Sequence, residues 1–215
     1  TVMNKKIIVA RYNEDVSWTE QVDFADVIIY NKGQDEIPGA IPLPNVGRES
    51  GTYLRFIIDN YENINASTLY FFLQGNPFEH GVSFEVLQKC EHPEYFGKRY
   101  SEPGMGIYNK YFPVGFPSSK FCDMIFLENP FKSEYIEIKY GANFCASGKM
   151  IKKRCKNFYL FLSTYLETLN PIEGHIMERI WSFILFTDIK DKMTEYSKLR
   201  KAFIKGSTWG GIKID

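Results

Sequence analysis

From Lys5 to Leu73 the chain alternates short apolar runs with helical patterns, and few folds accommodate that order. Lys5-Lys6-Ile7-Ile8-Val9-Ala10 is a β-branched run of the kind carried by a strand buried on both faces. Asp26-Val27-Ile28-Ile29-Tyr30 and Thr68 to Leu73 repeat the signal. Between them, Val16-Ser17-Trp18 opens a short helix. Tyr53, Leu54, Ile57, Ile58 and Tyr61 then recur at the spacing of one helix face. Strand, helix, strand, helix, strand predicts a parallel sheet with right-handed crossovers. Such sheets hold ligands just past the carboxyl ends of their strands, so polar clusters at those ends are the first candidates for chemistry.

Farther along, Gln34 to Pro44 holds three prolines and reads as a surface loop. Glu91 to Pro130 is rich in Gly, Pro and aromatics and only weakly periodic. With Tyr95, Phe96, Tyr100, Tyr108, Tyr111, Phe112 and Phe116 it reads as a binding loop. Tyr135 to Tyr140 alternates like a strand, and Gly141 to Ser147 follows as a second, small-residue strand. Ile151, Cys155, Phe158, Tyr159, Leu162, Tyr165, Leu166 and Leu169 predict one helix, ended by Asn170-Pro171. Ile176, Ile180 and Ile184, with Met177, Trp181 and Leu185, predict another. A last amphipathic helix spans Asp188 to Lys205. The expected fold class is α/β, one domain over 1–215, with a central mixed, mostly parallel sheet flanked by helices.

Length and composition agree. A chain of 215 residues fits one domain, and 44% hydrophobic with 16% aromatic content supplies a large core. The 26 basic and 26 acidic residues cancel, so no bulk charge draws the chain to nucleic acid or an anionic membrane. Cys90, Cys122, Cys145 and Cys155 form no C-x-x-C pair and read as buried free thiols of a reducing compartment. Cys90 and His92 lack further ligands at zinc spacing. No run approaches the roughly 20 apolar residues of a membrane span, and no signal peptide is visible, so a cytoplasmic location is expected. The first strand's loop lacks G-x-G-x-x-G and no Walker sequence occurs, which disfavours NAD enzymes and P-loop kinases.

Four polar constellations stand out. After the first strand come Ala10-Arg11-Tyr12-Asn13-Glu14-Asp15, with Lys32 after the second. They read either as contacts to a base and ribose or as an ordinary solvated loop. In Asn45-Val46-Gly47-Arg48-Glu49, Gly47 allows close backbone approach, Arg48 suits phosphate, and the helix start behind it favours anions. A plain helix entry, with Glu49 complementing the dipole, explains the same residues. Gln74-Gly75-Asn76-Pro77-Phe78-Glu79-His80 follows the third strand. Asn76, Glu79 and His80 could supply oxygen and imidazole ligands to a hard cation, though a turn explains Asn76-Pro77 equally well. On the helix after Gly174, His175, Glu178 and Ser182 share an arc opposite the isoleucines, and Glu178 borders Trp181. That arc is either an acid/base face or an exposed polar one. The basic run Lys149, Lys152, Lys153, Arg154 and Lys156 reads as solvated, with contact to an anionic substrate or lipid as the lesser alternative.

These pieces carry a resemblance. Val9-Ala10-Arg11-Tyr12-Asn13-Glu14-Asp15 with Trp18, Pro44 to Ser50 with Tyr53-Leu54, Phe72-Leu73-Gln74-Gly75 with Pro77 and His80, Gly141-Ala142-x-Phe144-x-x-Ser147 and Glu178-x-x-Trp181 run in one order from Val9 to Trp181. On them the chain resembles a family catalogued as a domain of unknown function. That family is similar in turn to GT-A-fold glycosyltransferases, including the N-terminal domain of a large algal-virus enzyme. The resemblance implies a GT-A-like domain with a nucleotide-binding half over about 4–80, an acceptor and catalytic half over about 81–205 and a tail over 206–215.

It also implies transfer of a sugar from a UDP-type donor to a hydroxyl of a glycan or glycoprotein, with Mn2+ preferred and Mg2+ as a substitute. The chain would then form part of a longer multidomain protein. Ala10, Arg11, Tyr12, Asn13, Lys32, Asn45, Gly47, Arg48, Gln74 and Gly75 would grip the donor. Glu178 would be the catalytic carboxylate, with His175 or Glu79 as substitutes. GT-A enzymes carry Asp-x-Asp after the third core strand. Here Gln74 to Glu79 stands in that place, so Glu79 with Asn76 or His80 would hold the cation. The rival expectations are a non-catalytic nucleotide- or sugar-binding module and a metal-dependent hydrolase using Glu178 and Glu79.

Overall fold

The apolar runs pair as their pattern predicts. In the computed structural model, which describes residues 4–96, 99–103, 118–132, 135–139, 141–168, 172–206, 208–209 and 212–213, β1 (Lys5–Arg11) is the centre of the sheet. It is flanked by β2 (Asp26–Asn31), which continues to a two-residue β3 (Ile41–Pro42). After α1 (Arg48–Asn60) the chain returns to the other side of β1 as β4 (Leu69–Gln74). Then come α2 (Phe84–Lys89), β5 (Glu94–Tyr95), β6 (Arg99–Pro103), α3 (Ser118–Ile125), β7 (Tyr135–Lys139) and β8 (Phe144–Ser147). The chain continues as α4 (Gly148–Ile151), α5 (Lys156–Thr164), α6 (Ile172–Phe186), α7 (Lys192–Gly206), β9 (Thr208–Trp209) and β10 (Ile212–Lys213).

Six strands join in the order β3-β2-β1-β4-β8-β5. The pairs from β3 to β4 are parallel, and β8 runs antiparallel to both β4 and β5. The fold is therefore α/β with a mixed, mostly parallel sheet. Separate antiparallel pairs are formed by β6 with β7 and by β9 with β10.

Register fixes which residues face which layer. Ile8 pairs with Ile28 and Phe72, and Phe72 with Phe144. Alternate residues then point to opposite faces. Ile8, Phe72 and Phe144 meet Tyr53, Ile57, Tyr159, Ile180 and Trp181 of α1, α5 and α6. Ile7, Val9, Phe71 and Leu73 meet Trp18, from a 3-10 turn at Ser17–Gln21, and Leu87 of α2. Burying each such large side chain contributes about 1.5–3 kcal/mol, and both faces of the sheet are covered this way.

Three expectations need correction. The proline-rich loop contains β3, at the sheet edge, where Pro42 withholds a donor that no neighbour needs. The stripe from Ile151 to Leu169 is two helices, because the amides of Lys153 and Arg154 bond back three residues, to Met150 and Ile151, and close a tight turn. That turn carries Arg154 inward, so the basic run is not uniformly solvated. Arg154 is buried, its Nε donates to the Ile184 carbonyl at 3.1 Å, and its Nη1 meets Asp191 Oδ2 at 3.2 Å. Asp191 also accepts from the Thr194 amide at 2.7 Å and caps α7, which therefore begins at Lys192 and not near Asp188.

Tyr108, Tyr111, Phe112 and Phe116 of the expected binding loop, and the helix end at Leu169-Asn170-Pro171, lie outside the described residues. Cys90, Cys122 and Cys145 are buried free thiols and Cys155 is half-buried. Among the described residues no helix is long and apolar enough to cross a membrane.

Candidate functional site

The winding reverses at β1. The chain steps outward through β2 and β3, then comes back to β4 on β1's other side. Such a reversal leaves a crevice between the carboxyl ends of the two strands it separates. A cavity of about 190 Å³ lies there. Of the expected donor-gripping residues, Ala10, Arg11, Tyr12, Lys32, Asn45, Arg48 and Gln74 line it, together with Glu14, Glu49 and Thr52. Ligand pockets commonly measure about 300–1,000 Å³, so this cavity encloses one part of a ligand of that class.

The remaining three expected gripping residues do not line the cavity. Asn13 is exposed, and its amide, with that of Tyr12, donates to Glu14 Oε2 at 3.1 and 2.7 Å. A Cβ on Gly75 would lie 2.7 Å from that same oxygen, so Gly75 lets the Glu14 loop close down on β4. Gly47, with φ of 74°, donates its amide to the Thr168 carbonyl at 2.8 Å. A side chain there would meet the Leu166 carbonyl at 2.8 Å.

The two cations expected to read a base and ribose have structural work instead. Arg11 is buried, and it makes a fork of two 2.7 Å bonds to Asp35 plus a 2.8 Å bond to Asn31 Oδ1. Its Nε donates to the Glu14 carbonyl at 2.8 Å, so Arg11 ties the loops after β1 and β2 together. Lys32 is buried as well, and burial lowers its pKa to about 8. Its ammonium donates to the Val46 carbonyl at 2.6 Å and to the Arg48 carbonyl. This clamp holds Arg48 at φ of 52°, a left-handed conformation that strains a side-chain-bearing residue by about 1–3 kcal/mol.

Arg48 is the hub. Its Nε is 3.9 Å from Glu49 Oε2, its Nη2 is 4.0 Å from Glu178 Oε1, and its Nη1 is 3.5 Å from His175 Nε2. It crosses α6 at Gly174, where a Cβ would stand 2.6 Å from Arg48 Cδ. A side chain at that helical position would therefore push the Arg48 side chain aside. The arc carrying Glu178 is not an exposed polar face. Arg179 is 3% exposed and Ser182 6%, and the Glu178 side chain keeps only 17% of its surface in solvent.

Burial and the facing Glu49 carboxyl raise the Glu178 pKa from 4.5 to about 7, against the pull of Arg48 and Arg179. Glu49 Oε1 is buried with no donor, and the proton retained by Glu178 supplies one. The two carboxyls thus act as a proton-sharing pair. Burial first, then Arg48 and Arg179, lowers the His175 pKa, which leaves a neutral ring near pH 7. Trp181 Nε1 donates to Ser50 Oγ at 3.0 Å and the Tyr53 hydroxyl to the Ala142 carbonyl at 2.7 Å. These bonds lock α6 and the approach to β8 onto α1.

Asn76, Glu79 and His80 do not line the cavity. They occupy a 3-10 turn at Pro77–His80, where Asn76 Nδ2 donates to Glu79 Oε1 at 2.8 Å, and Glu79 and His80 are exposed. In this arrangement the Asn76 NH2 faces Glu79, so the trio does not present a converged oxygen and imidazole set. Among the described residues no group of three His, Cys, Asp or Glu converges on one point. Asn143 and Gly174 carried no signal in the sequence, because the Gln74 and Arg48 groups they meet come from elements far away in the chain, and Thr52 and Arg179 look there like ordinary helix residues.

The stretch that builds this crevice is also the one with relatives. Residues 7–89 match a family described as protein of unknown function (DUF3431). The match runs from β1 through α2 and takes in Arg11, Lys32, Arg48, Glu49 and Gln74, but it stops before Asn143 and Glu178. No curated protein matches the chain.

Proposed function

We propose that the cavity takes the diphosphate end of a UDP-type nucleotide sugar, and that the protein transfers the sugar to a hydroxyl of a glycan or glycoprotein. The observation that carries this reading is the Glu49–Glu178 carboxyl pair with Arg48 between its members, beside the crevice where the sheet's winding reverses. Glycosyl transfer needs a fixed positive group for the departing diphosphate and a carboxylate near an oxocarbenium-like centre. Arg48 supplies the first. Glu178 supplies the second, and a pKa of about 7 suits it to accept a proton from the acceptor hydroxyl. The mostly parallel mixed sheet with helices on its faces supports a GT-A-like domain, the fold that the resemblance implies. With the Asn76, Glu79 and His80 turn closed on itself, charge neutralisation falls to Arg48 in this scheme.

Thermal unfolding with UDP and UDP-sugars, with and without manganese, tests the binding half. A ligand at about 100 times its dissociation constant adds about 2.7 kcal/mol, or roughly 5–11 °C for a chain of this size. Absence of any nucleotide-dependent shift refutes the proposal. Glu178→Gln tests the chemistry, with binding retained and sugar transfer lost as the expected result. The closed Asn76–Glu79 turn favours a second reading, a nucleotide- or sugar-binding module without turnover. A shift with nucleotide but no transfer to any acceptor selects it.

A further inference from the structure

We infer that Asn143 makes the end of β4 a donor-only floor, so that the cavity accepts an oxygen-rich anionic group of the pyrophosphate class. The inference rests on the nucleotide-sugar reading only for what else that ligand carries. It begins from a backbone amide, whose role is fixed. The Gln74 N–H donates at 2.8 Å to Asn143 Oδ1, so the orientation of the Asn143 amide follows. Its Nδ2 must then face Gln74, and it donates to Gln74 Oε1 at 3.0 Å. With that oxygen taken, Gln74 presents its NH2 on the other side, toward the cavity it lines.

Asn143 has no freedom to reverse this chain. It is 1% exposed, and its own carbonyl takes the Phe96 amide at 3.0 Å. The neighbouring carbonyls of Ala142 and Gly141 receive the Tyr53 and Tyr95 hydroxyls at 2.7 and 2.5 Å.

A second observation points the same way. Thr52 lines the cavity from α1 at 0% exposure, and its hydroxyl has no hydrogen-bond partner among the described residues. A buried hydroxyl without a partner is rare, and a ligand oxygen would complete it. The acidic residues on the wall do not oppose this. Glu14 Oε2 is held by two backbone amides, and Glu49 faces Glu178. Gln74, Thr52 and Arg48 therefore offer donors to one space. A group with several acceptor oxygens satisfies all three at once, whereas an ammonium or an amide N–H could pair only with the Thr52 hydroxyl and would face the Gln74 NH2 and the Arg48 guanidinium donor to donor.

Asn143→Asp tests the relay, because a carboxylate still accepts from the Gln74 amide but cannot donate to Gln74 Oε1. The glutamine then turns its NH2 inward and its oxygen toward the cavity. Calorimetric titration with pyrophosphate and with UDP is expected to show an affinity loss of about tenfold or more. Gln74→Met, at a half-buried site that leaves Asn143 intact, removes the donor directly and is expected to cost about fivefold.

The added charge is separated from the amide flip by the double variant. Adding Asn143→Asp to Gln74→Met is expected to change affinity by less than about twofold, since no amide remains to flip. An equal loss in both backgrounds, an unchanged affinity in Gln74→Met, or no affinity of the wild type for pyrophosphate overturns the inference. Pyrophosphate binding with the expected coupling, but no binding or turnover of nucleotide sugars, upholds it and removes the glycosyl-transfer reading instead. Side-chain amide NMR of Gln74 gives an independent readout, since its NH2 resonances shift on adding pyrophosphate only if that group faces the ligand.

Discussion

Replacing Glu178 by glutamine is expected to stabilise the protein at alkaline pH and to leave stability nearly unchanged in acid. In the unfolded chain a glutamate ionises near 4.5, whereas the folded Glu178 holds its proton to about 7. A carboxyl raised in this way favours the folded state below the unfolded value, and that contribution is lost as pH climbs to the folded one. Over that window the unfolded chain releases a proton that the folded chain keeps, so the wild type loses up to about 1.36 kcal/mol per pH unit. The total is roughly 3 kcal/mol, an upper figure because part of the side chain remains in solvent.

The glutamine of Glu178→Gln stays neutral and donates to Glu49, as the protonated acid does. The variant should therefore match the wild type near pH 4.5 and exceed it by up to about 3 kcal/mol at pH 8, or roughly 6–12 °C in melting temperature. Urea unfolding of both proteins at half-unit steps from pH 5 to 8 measures the difference, and other titrating groups cancel in the comparison. A difference that stays flat across that range refutes the proton-sharing pair.

Other perturbations probe the supports of the site. Asp191→Ala leaves the buried Arg154 guanidinium without its carboxylate and removes the cap of α7, and is expected to cost about 3–5 kcal/mol in urea unfolding. Gly174→Ala forces a Cβ against Arg48 Cδ, so nucleotide-induced stabilisation should fall while the melting temperature of the free protein changes by only a few degrees. Asp35→Asn breaks the charged fork on Arg11. It is expected to lower stability and to reduce ligand affinity by displacing the Glu14 loop, read by unfolding and by titration.

The strands of the sheet's centre could be read directly, because Ile7, Ile8, Val9, Phe71 and Phe72 are apolar on both faces and no other element uses such short runs. The faces of α1 and α6 were legible from their period. Less visible was anything decided by a distant partner. Arg154 looks like its lysine neighbours until Asp191 and two carbonyls of α6 close around it. Arg11 and Lys32 look like ligand-binding cations at strand ends, yet their partners Asp35 and the Val46 carbonyl bind them into the scaffold. Arg48 was identifiable from the glycine before it and the helix behind it. Glu49 looked like a dipole complement, and only the approach of α6 turns it toward Glu178. The two-residue strands β3 and β5 are too short for any pattern to register.

The reversed direction of β8 has one more effect. Because it opposes its neighbours, its beginning lies over the edge where β4 and β5 end, and so do Tyr95 and Ala142 at either end of the intervening excursion. The chain leaves this edge after Phe96 and is back at it by Gly141, with Tyr95 and Ala142 pinned there by hydroxyl-to-carbonyl bonds. The described residues between these points contribute to the core, since Phe121, Cys122, Ile125, Phe126 and Phe131 are buried in the same cluster as α5 and α6. A single antiparallel strand thus couples the floor of the crevice, through Asn143, to the helix that carries Glu178, through the Tyr95 hydroxyl.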